Sequence, residues 1–466
     1  MIFCPLGETE TISASCHFLS VRGTGILLDA GIDPEAEGTA ALPDLDIIHN
    51  RHDWYADSLL VTHAHHDHIG ALPSILQHFP HLKVHMTHAT RDLADHVLPA
   101  SARLQRRRMR EGTATSPPLF SEEEVNVYSY LYLAHKLNES FDVTGLRGET
   151  PIRATFYNAG HILGSAGSLL TYADEAGTTR RIFYTSDTNL RAQGIIPGGD
   201  YPKEKVDVLI LESTLGADPD AELTTRRREI ERFGRRLKMI IERGGSALVP
   251  VFAMGRAQET LAIIHKLKEK GVIPSDIPVY SAGGLRAVSD IYDKTRFTTP
   301  RIDESFQMYG IEQRRVPKST AALMNALESP GIFVVSSGMM FERTLSNRLA
   351  QLMVEDEKNG ILLVGFARED SPADRLQRSF ALGQGSPVIL DDDLGPQPLN
   401  AFVERFRMSS HSHRRDLIQL VEKLKPEHVI LVHGDAPART WLADNLRFFY
   451  PDLNVHVPKK GEEIEI

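Results

Sequence analysis

His63, His65, Asp67 and His68 place three imidazoles and a carboxylate within six residues. They follow the apolar run Leu59-Leu60-Val61, which reads as a buried strand delivering a polar loop to a sheet edge. Buried polar groups need partners, so such a loop is no ordinary piece of core. Imidazole nitrogen and carboxylate oxygen are the donors that a borderline cation such as zinc takes. Side-chain alternation sends His63 and His65 to one side, while Asp67 and His68 follow on the turn, where they could serve a second ion. The residues favour a metal site over a solvated histidine loop.

Other polar residues also stand where apolar runs stop. The stretch Gly23 to Gly31 reads as a short strand ending at Asp29, a turn residue or an acceptor that orients a ligand histidine from behind. Ile152 to Tyr157 reads as a strand leading to His161, and Gly160 and Gly164 let the chain turn tightly there. Alone, His161 would be a turn residue; beside the cluster it becomes a candidate third ligand. Arg181 to Tyr184 hands over to Asp187, placed to bridge two ions, and Val206 to Leu211 closes in Glu212-Ser213-Thr214. His411, His413 and His433, taken singly, read as surface residues. Between these strands the spacing predicts helices over Ala71–Phe79, Thr90–Arg110 and Glu122–Leu137, an alternation that argues for a layered α/β sandwich.

The chain has 466 residues, enough for two domains, and a formal charge of −10, which argues weakly against wholesale nucleic-acid binding. Two basic helices, one with Arg103, Arg106, Arg107, Arg108 and Arg110 and one from Arg226 to Arg236, are solvated faces or the walls of a groove for a polyanion. Cys4 and Cys16 form no disulfide framework and read as small core residues of a reducing compartment. No run is long enough to span a bilayer and no signal-peptide pattern opens the sequence, so a cytoplasmic location is expected. From Gly216 the texture changes to strand–loop–helix units that predict a parallel, open-sheet second domain. There Ser336-Ser337-Gly338 follows a strand, with amides that could cradle a phosphate, whereas no nucleotide-binding glycine loop is present.

Taken together, these pieces resemble the metallo-β-lactamase fold in its β-CASP nuclease branch. The resemblance rests on Asp29, the His63–His68 cluster, Gly160-His161, Asp187, Glu212-Ser213-Thr214, the stretch Pro250 to Glu259, Ser337-Gly338-Met339, His411 and Val432-His433-Gly434. It implies an αββα metallo-β-lactamase sandwich formed by residues 1–215 and 388–466, with an inserted β-CASP α/β domain over 216–387. It implies two zinc ions, with manganese as the alternative, one on His63, His65 and His161, the other on Asp67, His68 and His433, with Asp187 bridging and Asp29 steadying a ligand. Glu212 and His411 would act near the leaving group, His411 as general acid, and Arg256, Ser336 and Ser337 would touch phosphates. The implied activity is two-metal hydrolysis of single-stranded RNA in the cleft between the domains, endonucleolytic, 5′-exonucleolytic or both, with no membrane or nucleotide cofactor and with room for a homodimer.

The chain departs from the family pattern at Ser281–Leu285, at Ser371–Arg375, at Met340–Arg343 and at His411-Ser412-His413, all in or beside the substrate domain. Three alternatives compete. A DNA nuclease of this fold usually lacks a histidine at the position of His433. A small-molecule metallohydrolase has no need of the inserted domain. A non-catalytic subunit of a processing complex tends to lose its ligands.

Overall fold

The computed structural model describes residues 1–466, the side chains of Asp220 and Ala221 excepted. Two compact units emerge: residues 1–192, 198–219 and 411–466 form the first, and 193–197 with 220–410 the second.

The first unit is built on two seven-stranded sheets. One runs Ile464–Glu465, Ile2–Pro5, His17–Val21, Thr24–Leu28, Ser58–Leu60, Lys83–Thr87 and Tyr132–His135 in spatial order; the other runs Asn454–His456, His428–Val432, Val208–Glu212, Thr179–Tyr184, Ala166–Ala173, Arg153–Asn158 and Ser140–Asp142. The strand Val208–Glu212 shows why they stack. Its Val208 and Ile210 point inward against Phe3, Leu19, Ile26 and Leu28 of the facing sheet. Leu209 and Leu211 point outward against Leu417, Leu420, Leu442 and Leu446, which belong to the helices Arg414–Leu424 and Ala436–Phe449. A strand buried on both faces reads as a continuous apolar run, as this one does. On the other sheet the helix His88–Arg110 packs against Lys83–Thr87 and Tyr132–His135. The unit is therefore an αββα sandwich.

The second unit holds a six-stranded sheet in the order Arg314–Arg315, Val279–Ser281, Ile332–Val335, Ala247–Pro250, Gly360–Leu363, Phe402–Arg405, with every pair parallel. Its core gathers Leu248, Phe333, Val335, Leu349, Met353, Ile361, Leu363 and Leu376. The expected parallel open sheet is present. Residues 388–410, expected with the first unit, lie in the second, because Phe402–Arg405 extends this sheet beside Gly360–Leu363.

A second expectation also changes. The helix starting at Glu122 stops at Tyr128 rather than running to Leu137. After a turn, Tyr132–His135 becomes an edge strand parallel to Lys83–Thr87, with Tyr132 buried; the pairing outweighs the helical spacing. Cys4 and Cys16 are free and buried, and no helix among the described residues is long and apolar enough to cross a membrane.

Candidate metal centre

Six loops leave the ends of strands in the first unit and converge on one point. Asp29 follows Thr24–Leu28, His63 and His65 follow Ser58–Leu60, and Asp67 and His68 lie on the short helix His66–Ile69. His161 sits between Arg153–Asn158 and Ala166–Ala173, Asp187 follows Thr179–Tyr184, Glu212 ends its strand, and His433 follows His428–Val432. Gly160 has φ +72°, and a Cβ there would lie 2.4 Å from Asn189 O, so glycine is required. Three non-glycine residues at these strand ends hold positive φ: Asp29 (62°), Ser186 (52°) and His433 (49°). Such a backbone costs about 1–2 kcal/mol per residue and tends to persist where surrounding structure fixes a functional geometry.

The ligand atoms of His63, His65, His161 and Asp187 lie within 4.8 Å of one another, as do those of Asp67, His68 and His433 and those of Asp187, Glu212 and His411. In the first group His65 Nδ1 is 3.2 Å from His63 Nε2 and 3.1 Å from His161 Nε2. Metal–nitrogen bonds of about 2.0–2.1 Å in a tetrahedron give nitrogen separations of about 3.3–3.4 Å, close to these. Asp187 faces both ways. Its Oδ2 is 3.7 Å from His63 Nε2 and 3.6 Å from His161 Nε2, while its Oδ1 is 3.4 Å from His68 Nε2 and 3.1 Å from His433 Nδ1. In the second group Asp67 Oδ2 is 3.9 Å from His68 Nε2 and 3.5 Å from His433 Nε2. His68 Nε2 and Asp187 Oδ1 are buried with no hydrogen-bond partner. Orphaned polar atoms of this kind are costly, and a shared divalent ion would satisfy both. The donor set fits.

Behind the ligands, Asp29 is fully buried. It accepts from Thr62 N and Thr62 Oγ1 (both 2.8 Å) and from Tyr184 Oη (2.8 Å), and its Oδ2 lies 2.8 Å from His68 Nδ1. The Thr62 hydroxyl, its proton given to Asp29, receives one from Ser186 Oγ at 2.6 Å and stands 3.2 Å from His63 Nδ1. Asp29 thus orients His68 directly and His63 through Thr62, leaving both Nε2 atoms facing the centre. Position and chemistry made Asp29 legible in the sequence; Thr62, Tyr184 and Ser186 carried no signal beyond being hydroxyl groups beside a strand end.

Charge is balanced within the cluster. Burial would raise the Asp187 carboxyl, but His433, His68 and His411 hold it well below the usual range. Burial would lower His68, yet Asp187, Asp29 and Asp67 push it up. His411 follows the same pattern: burial lowers it, Glu212 and Asp187 outweigh burial, and its pKa is pushed up to about 9. His411 Nδ1 stands 2.9 Å from Glu212 Oε2, while Glu212 Oε1 accepts from Thr188 N at 2.7 Å. With both oxygens engaged and no exposed surface, Glu212 can hold His411 but cannot itself meet a substrate. Ser412, fully buried, pins the loop by donating its N–H to Thr188 O (2.7 Å) and accepting from Leu190 N (3.0 Å).

The remaining candidates belong to the second unit. Arg256, expected to touch phosphate, is instead 6% exposed, and burial with the nearby charge of Arg226 lowers its pKa to about 9. The segment around it is structural: Gln258 Oε1 accepts from Gly255 N at 2.9 Å, and Glu259 accepts from Gly194, Ile195 and Ile196 amides, tying residues 193–197 into that unit. Ser336 and Ser337 are half-buried, and their carbonyls accept from Ser346 N (3.3 Å) and Ser346 Oγ (2.7 Å).

The chain matches the metallo-β-lactamase superfamily over residues 11–193, the β-CASP domain over 257–376, and the Zn-dependent metallo-hydrolase RNA specificity domain over 396–458. It is 27% identical to cleavage and polyadenylation specificity factor subunit 3 of Dictyostelium discoideum, covering 99% of this chain and 57% of that one. It is 29% identical to cleavage and polyadenylation specificity factor 73 of Drosophila melanogaster (92% and 59% covered) and to an RNase J-like protein of Methanocaldococcus jannaschii (92% and 91% covered). The chain thus spans somewhat under three fifths of the length of the first two relatives. A crystal structure of a protein of unknown function from Enterococcus faecalis V583 shares the fold, with a TM-score of 0.55 at 14% identity over 100% of this chain and 99% of that one. A two-sheet sandwich presenting histidines and aspartates from its strand ends, with these matches, makes the chain a member of the metallo-β-lactamase superfamily. Its inserted parallel-sheet unit assigns it to the β-CASP branch.

Proposed function

We propose that this chain is a metal-dependent nuclease that hydrolyses phosphodiester bonds of single-stranded RNA. The observation that carries the reading is the two-faced Asp187, with one oxygen toward His63 and His161 and the other toward His68 and His433. His63, His65 and His161 would hold one ion and Asp67, His68 and His433 the other, with Asp187 shared. Zinc suits these donors, and manganese does too. Two such ions, when bound, supply a nucleophilic water at neutral pH and neutralise charge on the phosphoryl oxygens.

The chain's own residues supply the rest. The 3′-oxygen leaves poorly unless protonated, and a placed general acid contributes about 10²–10⁴-fold. His411 is the acid in this reading. Its Nδ1 is engaged by Glu212, so Nε2 is the atom that delivers the proton, and the raised pKa keeps the ring protonated at neutral pH. Glu212 is a positioning residue. The relatives, an RNase J-like protein and two cleavage and polyadenylation specificity factors, support RNA as substrate.

The test incubates zinc- and manganese-loaded protein with internally labelled RNAs: a circle, a 5′-monophosphate linear strand and a 5′-triphosphate linear strand. Cutting of the circle assigns an endonuclease, and mononucleotides released only from the 5′-monophosphate strand assign a 5′-exonuclease. A metal-loaded protein that leaves all three intact would sink the proposal.

A further inference from the structure

One hydroxyl at the edge of the centre has no role in the mechanism above. The strands Val208–Glu212 and His428–Val432 are parallel neighbours whose register pairs Glu212 with Val432, so Thr214 and His433 leave the sheet side by side. Gly434 permits that approach: a Cβ there would lie 2.8 Å from Ser213 Cβ and 2.9 Å from its carbonyl carbon. Thr214 Oγ1 then stands 2.6 Å from Glu212 Oε2, 3.0 Å from His433 Nδ1 and 3.2 Å from His433 O.

A hydroxyl has one proton to give. The shortest contact, to a carboxylate, takes it, because charge-assisted bonds are the stronger ones. The oxygen is then an acceptor toward His433, whose Nδ1 must carry the hydrogen. His433 Nε2 keeps its lone pair, 3.5 Å from Asp67 Oδ2. The chain Glu212–Thr214–His433 repeats on one side of the centre what Asp29–Thr62–His63 does on the other.

We propose that Thr214 is a positioning residue through which the buried carboxylate of Glu212, besides holding His411, fixes the tautomer and ring orientation of His433. The consequence for metal affinity rests on the nuclease reading; the tautomer does not.

Thr214→Val removes the hydroxyl at nearly constant volume, and Thr214→Ser restores it. Nitrogen-15 histidine spectra of metal-free protein report the tautomer, with His433→Gln assigning the signal. In wild type and Thr214→Ser, His433 should appear with hydrogen on Nδ1; in Thr214→Val the signal should move toward a mixture. Zinc titration should show one of two sites weakened about 10–100-fold in Thr214→Val and recovered in Thr214→Ser. On RNA, kcat should fall with KM unchanged. Circular dichroism confirms folding, and Thr214→Ala replaces the valine variant if that one fails. A wild-type tautomer pattern in a folded variant lacking the hydroxyl, or zinc affinities equal to wild type, overturns the proposal. Failure of the nuclease reading shows separately, as wild-type protein that does not cut RNA.

Discussion

Replacing Glu212 by glutamine tests the acid role of His411 more sharply than deleting the histidine. The charge is removed from a group 2.9 Å from His411 Nδ1, with little change of volume. An opposite charge within about 4–6 Å shifts a pKa by roughly 1–3 units, so the ring, now at about 9, should fall to roughly 6–8. Hydrogen bonding adds to the effect. The Oε1 position accepts from Thr188 N, so the new amide keeps its oxygen there and turns its NH₂ toward His411. That arrangement favours a neutral ring with a bare Nδ1. In the proposed mechanism the protonated ring is the working form, so activity is present below its pKa and lost above it. The alkaline limb of kcat should therefore move to lower pH in Glu212→Gln. With a pKa near 7, about a tenth of the rings are protonated at pH 8, against about nine tenths in wild type, a loss of about tenfold. Single-turnover cleavage of a short RNA by metal-loaded protein, from pH 5.5 to 10, reads the limb directly. An alkaline limb that stays in place while metal content is unchanged would refute the acid assignment.

Three further outcomes follow from the same geometry. Asp187→Ala removes the carboxylate that faces both groups, so metal per chain, measured by elemental mass spectrometry, should fall below two and cleavage should vanish; retained activity would refute the two-ion mechanism. Stripping metal with a chelator should lower the melting temperature, and readdition at a thousandfold excess over Kd should restore about 4 kcal/mol, because the buried His68 Nε2 and Asp187 Oδ1 regain a partner. Glu259→Ala in the second unit leaves three backbone amides and the Arg226 guanidinium without their acceptor; breaking a buried pair this way costs about 3–5 kcal/mol, read by urea unfolding.

The candidate metal centre was legible because its residues are rare types at strand ends. Three imidazoles and a carboxylate within six residues have few structural uses, and Asp29, His161 and Asp187 each stand where an apolar run stops. Thr62 and Thr214 were not legible. Threonine serves caps, turns and strands alike, and their roles appear only once register sets them beside Asp29 and Glu212. Arg256 misled for a related reason: an arginine at a helix start suggests a phosphate contact, but three-dimensional packing turns this one inward beside Glu259. The shortened helix after Glu122 shows that spacing alone does not decide between a helix and an edge strand when a neighbouring strand offers its hydrogen bonds. The return to the first unit at residue 411 rather than 388 escaped notice because Phe402–Arg405, two apolar residues followed by two charged ones, carries no signal of which sheet it joins.

The first unit is assembled from segments on both sides of the second, and His411, Ser412 and His433 lie on the last of them. On a ribosome, then, Asp29, the His63–His68 loop, His161 and Asp187 are made long before His411 and His433. At about 5–20 residues per second, the roughly 200 intervening residues take about 10–40 s to synthesise. During that interval the sheet ends at Val208–Glu212, with the place of His428–Val432 still open. In the proposed mechanism, a nascent chain is thereby kept without its candidate proton donor, His411, until the final segment docks.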